Sequence, residues 1–436
     1  MSDPLEGESL DNLVKPTSKR EWKHEASTAV FEQPSSADAE RKKINQQKLH
    51  IGEHPYYVHP RDLSNWRSAS QLQISHYLTL RIINKFQVLK NLTAANFQAM
   101  TNLSTDADNK SREHLKSLWG WKDFRIDIKN NGSQRPPFGQ AKKLGYLSST
   151  RDLQLAIAQR VEISSEGGYG GPITRSTPAE ASQNENPTDM TPISRTTTGI
   201  SASGEAALTR VTTSSDRMDT STESSASLSR AISKVSATSI PDPVQFQKTK
   251  GEDIVNQAAV ELLAALTRYC PSLNLEWSAH KYEFSYRLGE ALIVAITDGC
   301  LLAEDMDDVY SILEVKPFVI TAQPQKTFMQ VGLQMIGFIL NCVEKGKAKD
   351  RYFLVSQYRH QAYITVAKPD AGYIEYLMSE ENVHMENLDD SDSLDKIPFL
   401  TLTHFGPFDI FQSKSMFALG RMVVTIAIQL SMDRLS

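Results

Sequence analysis

Cysteine is scarce in this chain: three in 436 residues, Cys270, Cys300 and Cys342. Odd in number and widely spaced, they supply neither a disulfide frame nor the paired spacing of a zinc site, and they point to a reducing compartment. A charged-then-apolar leader is also missing. The chain opens MSDPLEGESLDNLVKPTSKREWKHEAS, polar and mixed in charge, so an intracellular protein, nuclear or cytoplasmic, is expected and secretion is not. Long apolar runs are absent too: the best, MFALGRMVVTIAIQL, is short and carries Gly420 and Arg421, which predicts a buried or amphipathic helix and no membrane contact. SEGGYGG at 165–171 is not followed by Gly-Lys-Ser/Thr, which speaks against a phosphate cradle. Of the histidines at 50, 54, 59, 76 and 114, only His50 and His54 stand four apart, and Gly52 and Pro55 argue against a helix there, so no metal is assigned to them.

What is present is 40% hydrophobic and 23% charged, enough for a sizeable core and a prior of two or three units. Net charge divides unevenly: +6 over 1–164, −1 over 165–250 and −10 over 251–436. Residues 1–48 lack an apolar period and read as a disordered arm with small basic clusters at 19–20 and 41–43. Residues 165–250 are Ser/Thr-rich and poor in aromatics, too little apolar surface to offset ordering the backbone, and read as a disordered linker. Within it ISRTTT and LSRAIS would suit basophilic kinases.

Between them, 49–164 reads as a small, mainly helical, basic unit. ISHYLTLRIINKFQVLKNL sets Ile74, Leu78, Ile82, Phe86 and Leu89 at helical spacing, and TAANFQAM and DLQLAIAQRV suggest shorter helices. The intervening stretch mixes Trp119, Trp121 and Phe124 with Arg125, Lys129, Arg135, Lys142 and Lys143. That is either a few core aromatics beside a polar loop or a surface that stacks on bases and neutralises phosphates.

The pattern is clearest in 251–436. GEDIVNQAAVELLAALTRYC and KTFMQVGLQMIGFILNCVEK read as helices, and so does the C-terminal SMFALGRMVVTIAIQLSM. KYEFSYRL, ALIVAITDGCLLA and VYSILEVKPFV read as three strands of a meander; RYFLVSQYRHQAYITVAK is long and β-rich, and GYIEYLM suggests another strand. The result is an α/β fold with the order helix, three-strand meander, helix, strand.

In VYSILEVKPFV, Glu314 and Lys316 share one face of the strand while Leu313 and Val315 point to the other. If the segment carrying Asp298 pairs with it through AEDMDD, two carboxylates converge at one edge of the sheet. Oxygen ligands from Asp298 and Glu314 suit Mg²⁺ completed by waters and a substrate phosphate. Lys316 would orient the attacking water or stabilise charge that grows in the transition state.

Asp298 in ITDG followed by Glu-x-Lys in ILEVKP, between two amphipathic helices, resembles the PD-(D/E)XK nuclease superfamily and in particular its fungal nuclease-like domains. The resemblance covers 251–436 and implies a restriction-endonuclease-like core. It implies Asp298 and Glu314 as ligands of Mg²⁺ or Mn²⁺, Lys316 as the catalytic cation, and Glu261 on the first helix as a further ligand. Gln330 and Gln334 on the following helix, and Arg359 and His360 on the next strand, are auxiliary candidates. The family's Pro before the Asp is replaced by Thr297. The implied function is metal-dependent hydrolysis of phosphodiester bonds in DNA; the resemblance says nothing of residues 1–250, and from its charge the basic N-terminal unit is expected to supply the grip that the acidic part lacks. The alternative is a catalytically inactive interaction protein of the same fold, binding protein partners or kinases through its acidic surface and linker.

Overall fold

The computed structural model describes residues 10–30, 55, 58–63, 72–88, 97–98, 101–135, 143–158, 251–289, 291–303, 308–379 and 391–435. In chain order they form α1 (Leu10–Leu13), α2 (Lys19–Thr28), α3 (Ile74–Thr79), β1 (Ile82–Gln87), α4 (Thr105–Ser117), α5 (Trp121–Asn131), α6 (Leu147–Ala158), α7 (Glu252–Thr267), β2 (Leu275–Ser278), β3 (Glu283–Leu288) and β4 (Ala291–Ile296). β5 (Gly299–Ala303), β6 (Val309–Lys316), α8 (Pro324–Glu344), β7 (Tyr352–Tyr358), β8 (Gln361–Pro369), α9 (Tyr373–Met378), β9 (Leu400–Asp409) and α10 (Ser413–Leu435) complete the order.

β5, β6 and β7 read as nearly unbroken apolar runs because both of their faces are covered. They lie in a mixed seven-stranded sheet of order β1-β9-β8-β7-β6-β5-β2. β2, β5 and β6 run antiparallel in succession, and β7 returns parallel to β6 after α8, the crossover that a parallel pair requires. On one face Leu313 and Val315 pack with Leu262, Leu266 and Val424 from α7 and α10; on the other Ile312 and Leu354 pack with Ile336 and Ile339 from α8. β3 and β4 form a separate two-stranded hairpin. Its Phe284 lies so close to α8 that a Cβ at Gly337 would come within 2.8 Å of it.

Contacts divide the chain into one unit, 1–161 with 243–436, and a second, 162–242; all described residues belong to the first. The compositional boundary between 49–164 and 251–436 is therefore not a boundary in packing. Leu115, Trp121 and Phe124 share a cluster with the core of α7 and α10, and β1 pairs in parallel with β9. Arg421, the charge inside the apolar C-terminal helix, donates to both carboxylate oxygens of Asp108 on α4 at 2.7 and 2.6 Å. Among the described residues α10 alone is long and apolar enough to cross a membrane, and 72% of its apolar window is buried in this unit.

Several expected elements differ. Residues 10–30 belong to no disordered arm: Ser18 caps α2 through the Glu21 amide, and Trp22 is buried with its Nε1 donating to the Leu78 carbonyl at 2.7 Å. The helix expected through Leu89 stops at Thr79, and Ile82–Gln87 is a strand. Apolar residues four apart, such as Ile82 and Phe86, satisfy both the helical and the two-residue period, and the left-handed Arg81 (φ 50°) breaks the helix. In the aromatic and basic stretch, Trp121 and Phe124 are core aromatics, but 121–131 is a helix and not a loop, and GYIEYLM is helix α9. The first strand of the meander is β2, not KYEFSYRL, and the run 291–303 breaks at Thr297–Asp298 into β4 and β5, which lie in different sheets. The linker at 165–250, the basic cluster at 41–43, His50, His54 and Lys142 lie outside the described residues.

Candidate active site

The break at Thr297–Asp298 is what positions the first carboxylate. Asp298 ends the excursion of the β3–β4 hairpin and re-enters the main sheet: its amide donates to the Leu313 carbonyl at 3.0 Å, and Gly299 pairs with Leu313. Gly299 is required here, since a Cβ would lie 2.7 Å from the Ser278 carbonyl oxygen on β2. This register sets Asp298 beside Glu314. Its Oδ2 accepts from the Val315 amide at 2.9 Å, the backbone group between Glu314 and Lys316.

Glu314 is 1% exposed, and three donors fill its carboxylate. Lys316 Nζ and Gln330 Nε2 reach Oε1 at 2.5 and 2.7 Å, and Gln334 Nε2 reaches Oε2 at 2.5 Å. Gln330 and Gln334 are one turn apart on α8, so one helical face delivers both amides. Gln334 also donates to the Ile296 carbonyl at 2.8 Å, tying α8 to the end of β4. Burial pushes the Glu314 carboxyl up to about 8; Asp298 adds to the rise, while Lys316 and Gln334 oppose it. Burial pulls the Lys316 ammonium down, but the Glu314 carboxylate outweighs it, with Glu252 and Asp298 adding, and the ammonium lies above its ordinary value.

Lys316 Nζ is a cation surrounded by oxygens: Glu314 Oε1 at 2.5 Å, the Val315 carbonyl at 3.1 Å and Glu252 Oε1 at 3.3 Å. The helix α7 contributes Glu252 rather than Glu261. Nine residues separate the two, which is roughly half a turn around the helix and about 13 Å along it, so a residue facing Lys316 at 252 excludes the same for 261. One turn after Glu252, Asn256 Nδ2 donates to the Asp298 carbonyl at 2.9 Å. At the rim, Lys281, whose side chain is 62% exposed, lies 3.8 Å from Asp298 Oδ1.

Arg359 and His360 form the turn between β7 and β8 instead of lying within a strand. The Arg359 amide donates to the Lys316 carbonyl at 2.9 Å, with Arg359 in the left-handed region at φ 55°, so its backbone adjoins the site. The His360 ring stacks on Phe411 at 6.1 Å. The structure therefore brings Asp298, Glu314, Lys316, Gln330 and Gln334 together, with Arg359 at their edge, and leaves Glu261 out. Sequence reasoning missed Glu252, Asn256 and Lys281; the signal for the first two was their one-turn spacing on the helix face opposite Glu261.

No protein-family model, curated protein or solved structure matches this chain. The functional reading therefore rests on the chemistry of these side chains. Among the described residues no group of three or more His, Cys, Asp and Glu side chains forms a ready metal cage. The donor set is nevertheless all oxygen: two carboxylates and the Val315 carbonyl. Two buried oxygen acceptors nearby, Gln334 Oε1 and Asn256 Oδ1, have no hydrogen-bond partner among the described residues. Hard oxygen donors of this kind fit Mg²⁺, which keeps several waters and seldom takes an all-protein cage; Glu314 and the Val315 carbonyl already meet the Lys316 ammonium, and Asp298 stands beside them on the Val315 amide.

Proposed function

We propose that the chain is a divalent-metal-dependent nuclease of the PD-(D/E)XK type that hydrolyses phosphodiester bonds in DNA. The observation that carries this reading is the Asp298 carboxylate on the Val315 amide, which aligns Asp298 with Glu314 and Lys316 at the carboxyl end of β6. The succession α7, β2, β5, β6, α8, β7, with β7 parallel to β6, supports a restriction-endonuclease-like core into which the β3–β4 hairpin is inserted.

Asp298, Glu314 and the Val315 carbonyl would hold Mg²⁺ or Mn²⁺. Such an ion polarises a phosphate and eases the loss of a proton from water. The Val315 amide fixes the Asp298 carboxylate, and the two glutamine amides fix that of Glu314. Lys316 places a positive charge where negative charge grows on the phosphate, or holds the attacking water. Lys281 offers an exposed charge to the phosphate backbone, offsetting locally the −10 of residues 251–436.

A second reading, a nuclease-fold protein without hydrolytic activity that binds protein partners, is favoured by the hydrogen bonding of Glu314, whose carboxylate already accepts from Lys316, Gln330 and Gln334. Conversion of supercoiled plasmid in Mg²⁺ or Mn²⁺, with EDTA as control, separates the two. The nuclease reading expects metal-dependent nicking that Glu314→Ala and Lys316→Ala each reduce by at least a hundredfold. Nicking unchanged in both variants contradicts the site, and its absence from the intact chain under all metal conditions favours the second reading.

A further inference from the structure

Large aromatic side chains seldom stand in water, yet three stand together at the far end of α7. Trp119 is 63% exposed, Tyr146 40% and Tyr269 74%. Their rings touch in sequence: Trp119 and Tyr146 lie edge to face with centroids 5.9 Å apart, and Tyr146 and Tyr269 lie tilted at 5.6 Å. The Arg268 guanidinium sits 5.1 Å from the centre of the Tyr146 ring.

The cluster is built rather than incidental. Gly145 adopts φ +56°, and a Cβ there would lie 2.7 Å from the Trp119 ring, so only glycine lets the indole rest on the backbone. Tyr269, also in the left-handed region at φ 57°, projects just beyond the last turn of α7. The three residues come from three separate segments, after α4, before α6 and after α7. Packing of α6 and α4 around α7 and α10 gathers them.

The charges nearest them along the chain are basic. Within three residues on either side of these aromatics the chain carries Lys116, Lys122, Lys143 and Arg268, all exposed, and no acidic residue; Asp123, one position further, lines a shallow depression with Lys143. This holds although residues 251–436, which contribute Tyr269 and Arg268, are strongly acidic overall. Exposed ring faces framed by cations match a polyanion whose bases are free to stack. A duplex hides its base faces, whereas a single strand offers one at every nucleotide.

We infer that this face binds single-stranded DNA, with Trp119, Tyr146 and Tyr269 as base-stacking platforms and Lys116, Lys122, Lys143 and Arg268 as phosphate contacts. The inference is independent of whether the carboxylate site cuts. The patch and Glu252 lie at opposite ends of α7, roughly 24 Å apart by helical rise, far enough for binding to be measured apart from chemistry.

The test is fluorescence anisotropy of a labelled single-stranded oligothymidylate 20-mer titrated with the full chain in EDTA, over a range of salt. Trp119→Ala and Tyr269→Ala should each weaken binding by about tenfold, while Trp119→Phe retains most of it, because one stacked base is lost in the first pair and kept in the last. Lys143→Ala should reduce the slope of log affinity against log salt by about 0.7. The titrations follow binding alone in EDTA, where no metal-dependent cleavage occurs, which separates this result from failure of the catalytic reading. The inference is overturned if both alanine variants bind within twofold of the intact chain, or if the intact chain does not bind the oligonucleotide. It is equally overturned if sedimentation shows a dimer that Tyr269→Ala dissolves while oligonucleotide affinity is unchanged, since the patch is then a protein contact.

Discussion

Gln334 on α8 joins two strands that belong to different sheets: its amide donates to Glu314 on β6 at 2.5 Å and to the Ile296 carbonyl at the end of β4 at 2.8 Å. One side chain thereby fixes both the second carboxylate and the backbone two residues before the first. Gln334→Leu keeps the volume and removes the donor. We expect a loss of stability of about 1–3 kcal/mol, from a buried carbonyl and a carboxylate each left short of a partner. As Gln334 lowers the Glu314 pKa, its removal should also, under the proposed nuclease function, move the midpoint of cleavage to higher pH. A pH profile of initial nicking rates measures that shift, which a merely structural role would not produce.

Glu314 binds its proton more tightly in the folded chain than in the unfolded one, its carboxyl rising from 4.5 to about 8. A raised folded pKa contributes stability that is full below about 4.5 and is lost as pH rises through about 8. At roughly 1.4 kcal/mol per pH unit the loss is about 5 kcal/mol at most. Glu314→Gln removes the titration, though its amide gives up one acceptor, so its melting temperature should fall less than that of the intact chain between pH 5 and pH 9. Thermal melts in EDTA across that range check the sign.

Asp108 and Arg421 belong to segments 313 residues apart, and their bidentate pair carries the claim that 101–135 and 413–435 form one folded body. Burial works against the Asp108 carboxylate, yet Arg421 and Arg112 hold its pKa below the ordinary range. Arg421→Leu should cost about 3 kcal/mol, since it leaves Asp108 in a partly buried site with the exposed Arg112 as its remaining guanidinium. Adding Asp108→Asn should recover part of that loss. Guanidinium denaturation of the single and double variants reads the coupling, and a cost within 0.5 kcal/mol for Arg421→Leu, the range of ordinary surface changes, contradicts the shared core.

The central residues were legible because strand period and charge together mark them. Glu314 and Lys316 alternate against Leu313 and Val315, and their cost in an apolar strand demands partners. Gln330 and Gln334 came from the family resemblance, and their one-turn spacing put both on one face. Glu252 was hidden because an acid in the first turn of a helix is ordinary dipole complementation, and only the tertiary position of Lys316 gives it a second role. β9 escaped notice because Gly406 and Pro407 interrupt its alternation, and the four-residue spacing of Ile82 and Phe86 fits a helix as well as the strand they form. The division of 49–164 from 251–436 does not hold in packing for a general reason: composition reports what each segment contributes, not which distant segment completes its core.

The central claim is that Asp298 and Glu314 serve one cation, held between them beside the Lys316 ammonium. Titration of Mn²⁺ followed by electron paramagnetic resonance tests it without requiring turnover. The account predicts one bound Mn²⁺ in the intact chain at pH 8, at least tenfold weaker binding in Asp298→Ala and in Glu314→Ala, and binding retained or tightened in Lys316→Met, where the competing ammonium is gone. Titrations of Asp298→Ala and Glu314→Ala that overlay the intact chain would contradict it.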